Sequence, residues 1–173
     1  MTLEDLLMEE DVVSSIQHHM DELLELIPEI KPCIGFDQKH PHHHLDVWNH
    51  TLLALSMCPR DFELRLVLLL HDIGKPFSYQ DDEVRHFHGH PKKSREIAEK
   101  ILPRFDYDPL FIREVLQLIE EHDTMIEVED VLKDYDYSYK RYTIQKCDAL
   151  AHNPTKLEKR KAYLEKTKQY FKK

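Results

Sequence analysis

The chain has 173 residues, 41% hydrophobic and 33% charged, with a formal net charge of −9 at pH 7. That length fits one domain with a sizeable core, and no apolar run approaches the roughly 20 residues of a membrane span, so no membrane partner is expected. The acidic balance argues against broad nucleic-acid binding, and Met1-Thr2-Leu3-Glu4-Asp5 lacks the basic start of a secretory signal.

With only three glycines and few alternating runs, the chain is expected to be mainly helical. Thr2 with Asp5 reads as a helix N-cap, and a second helix is expected from Asp11 to about Ile27, before Pro28. Residues 31–44, with Pro32, Gly35 and Pro41, read as a loop. The next helix spans about Leu45 to Met57 and ends at Pro59. Asp61 caps another that runs to about Ile73, ended by Gly74 and Pro76. Residues 77–87 are polar and irregular, with room for a short strand pair. Pro91 takes the first-turn position of a helix reaching Leu102, and Asp108-Pro109 opens one running to His122. Val128 to Lys133 forms a short helix, Tyr139 to Ala151 another, and Thr155 caps the last.

The expected fold class is all-α, a single helical bundle over residues 1–173. Residues 1–30 supply N-terminal helices without Lys or Arg, 40–155 the core, and 156–173 a basic C-terminal helix. That last helix reads as a solvated face docked through Leu157, Tyr163, Leu164, Tyr170 and Phe171. Its lysines are where RNA would touch, a partner not favoured by the overall charge. The three cysteines, Cys33, Cys58 and Cys147, show no CxxC spacing, which points to reduced thiols and a cytoplasmic setting.

The thirteen histidines matter through their placement. His71 and Asp72 close the apolar run 66–70 and precede Ile73-Gly74-Lys75. Helical spacing puts His50 on a face with Val47, Ala54 and Met57, and His71 with Leu64, Val67 and Leu68. It puts His122 with Val115, Leu118 and Ile119, and Asp148 with Ile144, Cys147 and Ala151. Taken singly, a core His is ordinary hydrogen-bonded packing and a buried Asp a helix cap. Taken jointly, three imidazoles and two carboxylates in one core are more simply satisfied by a metal ion. His90 is placed to add a ligand. Mixed imidazole and carboxylate donors suit one or two divalent transition ions: Fe, Mn, Ni, Co or Zn. The run His40-Pro41-His42-His43-His44 reads as a loop that binds metal only adventitiously, with His44 at the site mouth.

These residues resemble the HD superfamily of metal-dependent phosphohydrolases, whose pattern is a His, a His-Asp pair and a distant Asp. The matching segments are Asp46-Val47-Trp48-Asn49-His50-Thr51, Leu70-His71-Asp72-Ile73-Gly74-Lys75-Pro76 and Lys146-Cys147-Asp148-Ala149-Leu150-Ala151. Phe87-His88-Gly89-His90 with Ser94, and Glu121-His122-Asp123, are similar to the HD domain attached to bacterial tRNA nucleotidyltransferases. No glycine-rich nucleotidyltransferase motif is visible, so a single stand-alone HD domain without CCA addition is expected. Ile73-Gly74-Lys75 after the pair departs from the His-Asp-x-x-Glu-Asp form of alarmone hydrolases.

The resemblance implies that His50, His71, Asp72 and Asp148 bind a first metal, and that Asp72 bridges to a second held by His90 and His122. It implies catalytic roles for Asp72, Lys75 and Asp123, with Lys75, His88, Lys92 and Arg95 as substrate contacts. The implied reaction is hydrolysis of a phosphomonoester or phosphodiester of a nucleotide-type substrate by metal-activated water. The alternatives are a non-catalytic metal-containing module that binds RNA or a partner, and a purely structural metal site. Oligomeric state stays open.

Overall fold

The structure, a computed structural model, describes residues 1–172. Its helices in chain order are α1 (Leu3–Leu7), α2 (Val12–His18), α3 (Met20–Leu26), α4 (Val47–Ser56) and α5 (Phe62–Leu70). They continue as α6 (His90–Ile101), α7 (Pro109–Glu120), α8 (Val128–Lys133), α9 (Tyr135–Leu150) and α10 (Glu158–Lys168). Between α5 and α6 lies a small antiparallel pair, β1 (Gln80–Asp81) and β2 (Arg85–His86), with Gln80 opposite His86. The fold is all-α apart from that pair, which falls in the segment expected to hold one.

Local chemistry sets most helix starts. Thr2 and Asp5 form a capping box at α1. The carboxylates of Asp46, Asp61 and Asp108 accept the free amides of Asn49, Leu64 and Leu110, starting α4, α5 and α7. Gly89 sits at φ +77°, a conformation that favours glycine, so the chain turns from β2 into α6 with His90 at its first position.

Several boundaries differ from expectation. The helix expected over 11–27 breaks at His19, which carries no helical dihedrals. Ile16, before the break, and Leu23, after it, are both fully buried. Residues 28–33, expected in part as loop, form a 3₁₀ helix around Pro32 that buries Ile30 and Cys33. The α5 helix stops at Leu70, and His71 to Gly74 form tight turns instead of continuing it. The α9 helix begins at Tyr135 rather than Tyr139, because Asp134 caps it through Tyr137 N. Asn153 rather than Thr155 caps the turn Pro154–Lys156, and α10 follows.

A continuous core runs from Leu3, Leu6 and Leu7 through Leu66, Leu68 and Leu70 to Ile119 and Ile144. The N-terminal helices therefore pack on the domain. Buried Arg65 fastens them, donating from Nη1 to the carbonyls of Leu7 (2.6 Å) and Glu9 (2.7 Å) and from Nε to that of Pro59 (3.2 Å). A second cluster, Ile126, Val131, Tyr142, Leu164 and Phe171, fixes α8 and α10 against α9. No helix among the described residues is long and apolar enough to cross a membrane.

Candidate metal centre

Five structural units meet at one point in the interior. The α4 helix brings His50, the turn after α5 brings His71 and Asp72, and α9 brings Asp148. The start of α6 brings His90, and the turn after α7 brings His122. His50, His71, Asp72 and Asp148 each offer a ligand atom within 4.8 Å of the others, and so do Asp72, His90 and His122.

Asp72 is the member common to both groups. Its Oδ2 faces His71 Nε2 (3.2 Å), His50 Nε2 (3.5 Å) and Lys75 Nζ (3.2 Å). Its Oδ1 faces His90 Nε2 (3.2 Å) and His122 Nε2 (3.5 Å). Asp148 Oδ1 closes the first group, at 2.8 Å from His50 Nε2 and 3.0 Å from His71 Nε2.

The outer face of each imidazole is already fixed. The Nδ1 atoms of His50, His71, His90 and His122 donate to the carbonyls of Ala151 (3.1 Å), Leu68 (2.5 Å), Phe87 (3.0 Å) and Ile119 (2.6 Å). A carbonyl only accepts, so these bonds hold the Nδ1 protons and turn Nε2 lone pairs inward. His90 and His122 then set two Nε2 atoms 3.2 Å apart. Both oxygens of Asp72 are buried, and neither has a hydrogen bond of good geometry. Clustered lone pairs around an orphaned buried carboxylate are repulsive without a cation, and these donors fit a divalent transition ion.

The electrostatics carry the same demand for positive charge. With no ion bound, a proton on His71 Nε2 takes up that role: burial opposes it, yet Asp72 and Asp148 beside the ring lift its pKa to about 10. Burial likewise opposes ionisation of Asp72 and Asp148, but His71 and Lys75 hold Asp72, and His50 and His71 hold Asp148, well below the usual carboxylate range. Burial pushes His90 down.

Lys75 and the turn that carries it are locked. Its Nζ, 4% exposed as a residue, donates to Gln38 Oε1 at 2.7 Å besides facing Asp72, and it lies over the Phe87 ring. Gly74 makes the close approach possible. Its N–H donates to Ser94 Oγ at 2.9 Å, and a Cβ there would stand 2.5 Å from Ser94 N. Gly74 thereby seats the His71-Asp72 turn directly on α6.

A cavity of about 230 Å³ opens over the cluster, with Asp72, His90 and Asp148 in its floor. His88, exposed, and Asp123, also exposed, stand on its rim. Asp123 is held there because Arg141 (2.9 Å) and Gln145 (2.7 Å) both donate to the carbonyl of Thr124. Lys92 and Arg95 do not line this cavity; Arg95 pairs with Glu99 and Glu120 on the outer side of α6. His44 is exposed, whereas His40, His42 and His43 fold over the cavity. Asn153 N donates to the His42 carbonyl at 2.7 Å and pins that loop to the end of α9.

Sequence reasoning missed His43, Arg85, His152 and Arg160, all lining this cavity. His43 and His152 lie ring to ring at 4.5 Å, and burial pushes both imidazoles down, His152 to about 4. The repeated histidines at 40–44 were the available signal for His43. Nothing in the local sequence marks Arg160.

A family model described as "HD domain" matches residues 42–164. The chain is 32% identical over 117 residues to an A-adding tRNA nucleotidyltransferase of Deinococcus radiodurans, covering 62% of this chain and 27% of that protein. It is 30% identical over 118 residues to a multifunctional CCA protein of Pseudomonas aeruginosa, covering 66% and 28%. It is 35% identical over 104 residues to a CC-adding tRNA nucleotidyltransferase of Thermus thermophilus, covering 56% and 24%. The matched part thus spans about a quarter of each curated relative.

Proposed function

The chain belongs to the HD domain family, within a superfamily of metal-dependent phosphohydrolases, and from that premise we propose that it hydrolyses a phosphomonoester or phosphodiester of a nucleotide-type substrate. The observation that carries the reading is Asp72, buried and without a good hydrogen bond, with one oxygen turned to each of two imidazole groups.

In this reading His50, His71, Asp72 and Asp148 hold one divalent ion, and Asp72, His90 and His122 hold a second. Ions bound there supply Lewis acidity toward phosphoryl oxygens and acidify water. The carbonyl bonds to Nδ1 keep the four rings oriented, so little reorganisation accompanies charge development. Lys75 keeps the Asp72 carboxylate ionised and aimed, and its positive charge adds to the field on the phosphoryl group. Asp123, solvent-facing on the cavity rim, stands where it would shuttle a proton between water and the site. His88 stands where a substrate base or sugar would lie.

Elemental analysis combined with a substrate panel tests this. The panel contains nucleoside monophosphates, 2′,3′-cyclic nucleotides, dinucleoside polyphosphates and a chromogenic phosphoester. Metal-loaded protein turns over at least one of them, and Asp72→Ala abolishes that turnover. The names of the curated relatives favour a second reading, a metal-containing module that binds RNA without hydrolysis. It predicts metal occupancy, RNA affinity that falls steeply with salt, and no product from any member of the panel.

A further inference from the structure

Arg160 projects from α10 into the space over the cluster. It lines the cavity floored by Asp72 and Asp148, a neighbouring one of about 220 Å³ beside Asp123, and a third of about 580 Å³ that runs out past Lys156 and Lys159. Among the described residues its guanidinium makes one polar contact, Nη1 to His42 Nδ1 at 3.3 Å, and no carboxylate lies within ion-pair distance. Burial, then the charges of Arg160, Lys156 and Lys159, hold the His42 imidazole below its usual range, so that ring accepts from Arg160 without competing for an anion. The other arginines near the site are spent. Arg85 is bonded to Asp81 and the Asp37 carbonyl and stacks between Phe36 and Tyr79, and Arg95 pairs with two glutamates.

In the hydrolase reading, ions held by the cluster, with Lys75 at the cavity wall, would serve one phosphoryl group. A half-buried guanidinium without a carboxylate, lining the same cavity, is matched to a further anion, which it would grip through a planar fork of donors. We propose that Arg160 binds a second phosphoryl group of the substrate, so that the site takes a phosphoester carrying another phosphate next to the scissile one. The inference rests on the hydrolase reading for the word substrate, and on the cavity and Arg160 alone for the second anion site. Two sources supply this chemistry: a small bisphosphorylated nucleotide, or the 3′-phosphorylated end of an RNA strand continuing along Lys156 and Lys159.

Equilibrium binding to the metal-loaded protein separates these claims from turnover. The probes are methylphosphonate, with one phosphoryl group, and non-hydrolysable methylenediphosphonate, with two. Arg160→Ala is expected to weaken methylenediphosphonate by about tenfold while leaving methylphosphonate within about twofold, and Arg160→Lys to recover part of the loss. Equal binding of methylenediphosphonate by wild type and Arg160→Ala overturns the proposal, as does an equal loss for both probes. Melting temperature, expected to be unchanged, shows that the variant is folded. A 3′-phosphorylated dinucleotide identifies the source. A further loss in Lys156→Ala/Lys159→Ala supports the RNA end, and an unchanged affinity supports the small nucleotide. Intact probe binding with no hydrolysis of any substrate refutes the hydrolase reading and leaves the anion site standing.

Discussion

Replacing Gly74 with alanine tests how the two halves of the cluster are held together. Gly74 has φ −83° and ψ −12°, which alanine adopts freely. By backbone entropy alone Gly74→Ala is therefore stabilising, by about 0.4–1 kcal/mol. The added Cβ, however, would lie 2.5 Å from Ser94 N and 2.8 Å from Lys93 C, against an ordinary contact that begins at 3.4 Å, a shortfall of 0.9 Å at the nearest atom. Both atoms are helix backbone, so no side-chain rotation relieves the overlap. Overpacking of this kind costs about 1–3 kcal/mol, which outweighs the entropic gain. The net loss of about 1–2 kcal/mol corresponds to a fall in Tm of about 2–8 °C for a domain of this size. Relief by moving α6 away also carries His90 off Asp72 Oδ1, now at 3.2 Å. The group Asp72, His90 and His122 is expected to lose about tenfold or more in metal affinity, while that of His50, His71 and Asp148 holds. Thermal denaturation and metal stoichiometry at limiting ion concentration read both effects. A variant with unchanged or raised Tm and wild-type stoichiometry would refute the reasoning.

Chelation should lower Tm by about 5–10 °C at ion concentrations near 100-fold above Kd, since binding there contributes about 2.7 kcal/mol; an unchanged melt after removal of the ions contradicts a metal-filled cluster. Arg65→Met strips the carbonyls of Leu7, Glu9 and Pro59 of their donor and is expected to cost on the order of 2–4 kcal/mol, measured by urea denaturation, with α1 detaching first in hydrogen exchange. Burial, then the Asp72 charge, lifts the Cys33 thiol to about 12, so at pH 8 this buried residue stays unmodified by a thiol reagent in the native protein and reacts once urea unfolds it. His122→Ala should leave the His50, His71 and Asp148 group loaded and remove one ion per chain by elemental analysis.

Much of the fold was legible because its signals are local. Thr2, Asp46, Asp61 and Asp108 each satisfy amides within their own first turn, and Pro91 and Pro109 stand in the first turns of their helices. The break at His19 had no such signal. No proline or glycine lies near it, and Ile16 and Leu23, seven residues apart, would share a buried face in an unbroken helix as well. The start of α9 was missed because exposed Tyr135 and Tyr139 do not repeat with a buried face. The cluster residues His50, His71, His122 and Asp148 were legible because each recurs at helical spacing with apolar neighbours in the sequence, although His71 and His122 lie in the turns just after α5 and α7.

The cavity residues were not legible, since they converge only through the tertiary fold. Arg95 stands five positions after His90 in sequence, yet its place on α6 turns it to Glu120 and away from the cavity. Arg160 looks like one cation among many in a solvated helix. It reaches the site because Asn153 ties the 40–44 loop to the end of α9 and Tyr163 bonds Gln145 at 2.7 Å, which fixes how α10 lies.

The most direct measurement is phosphate or nucleoside release by one preparation carried through loading, chelation and reloading, beside Asp72→Ala treated identically. The account predicts turnover by the loaded wild type, loss on chelation, return on reloading, and none at any stage from Asp72→Ala. Turnover by metal-stripped Asp72→Ala equal to that of the loaded wild type would contradict it.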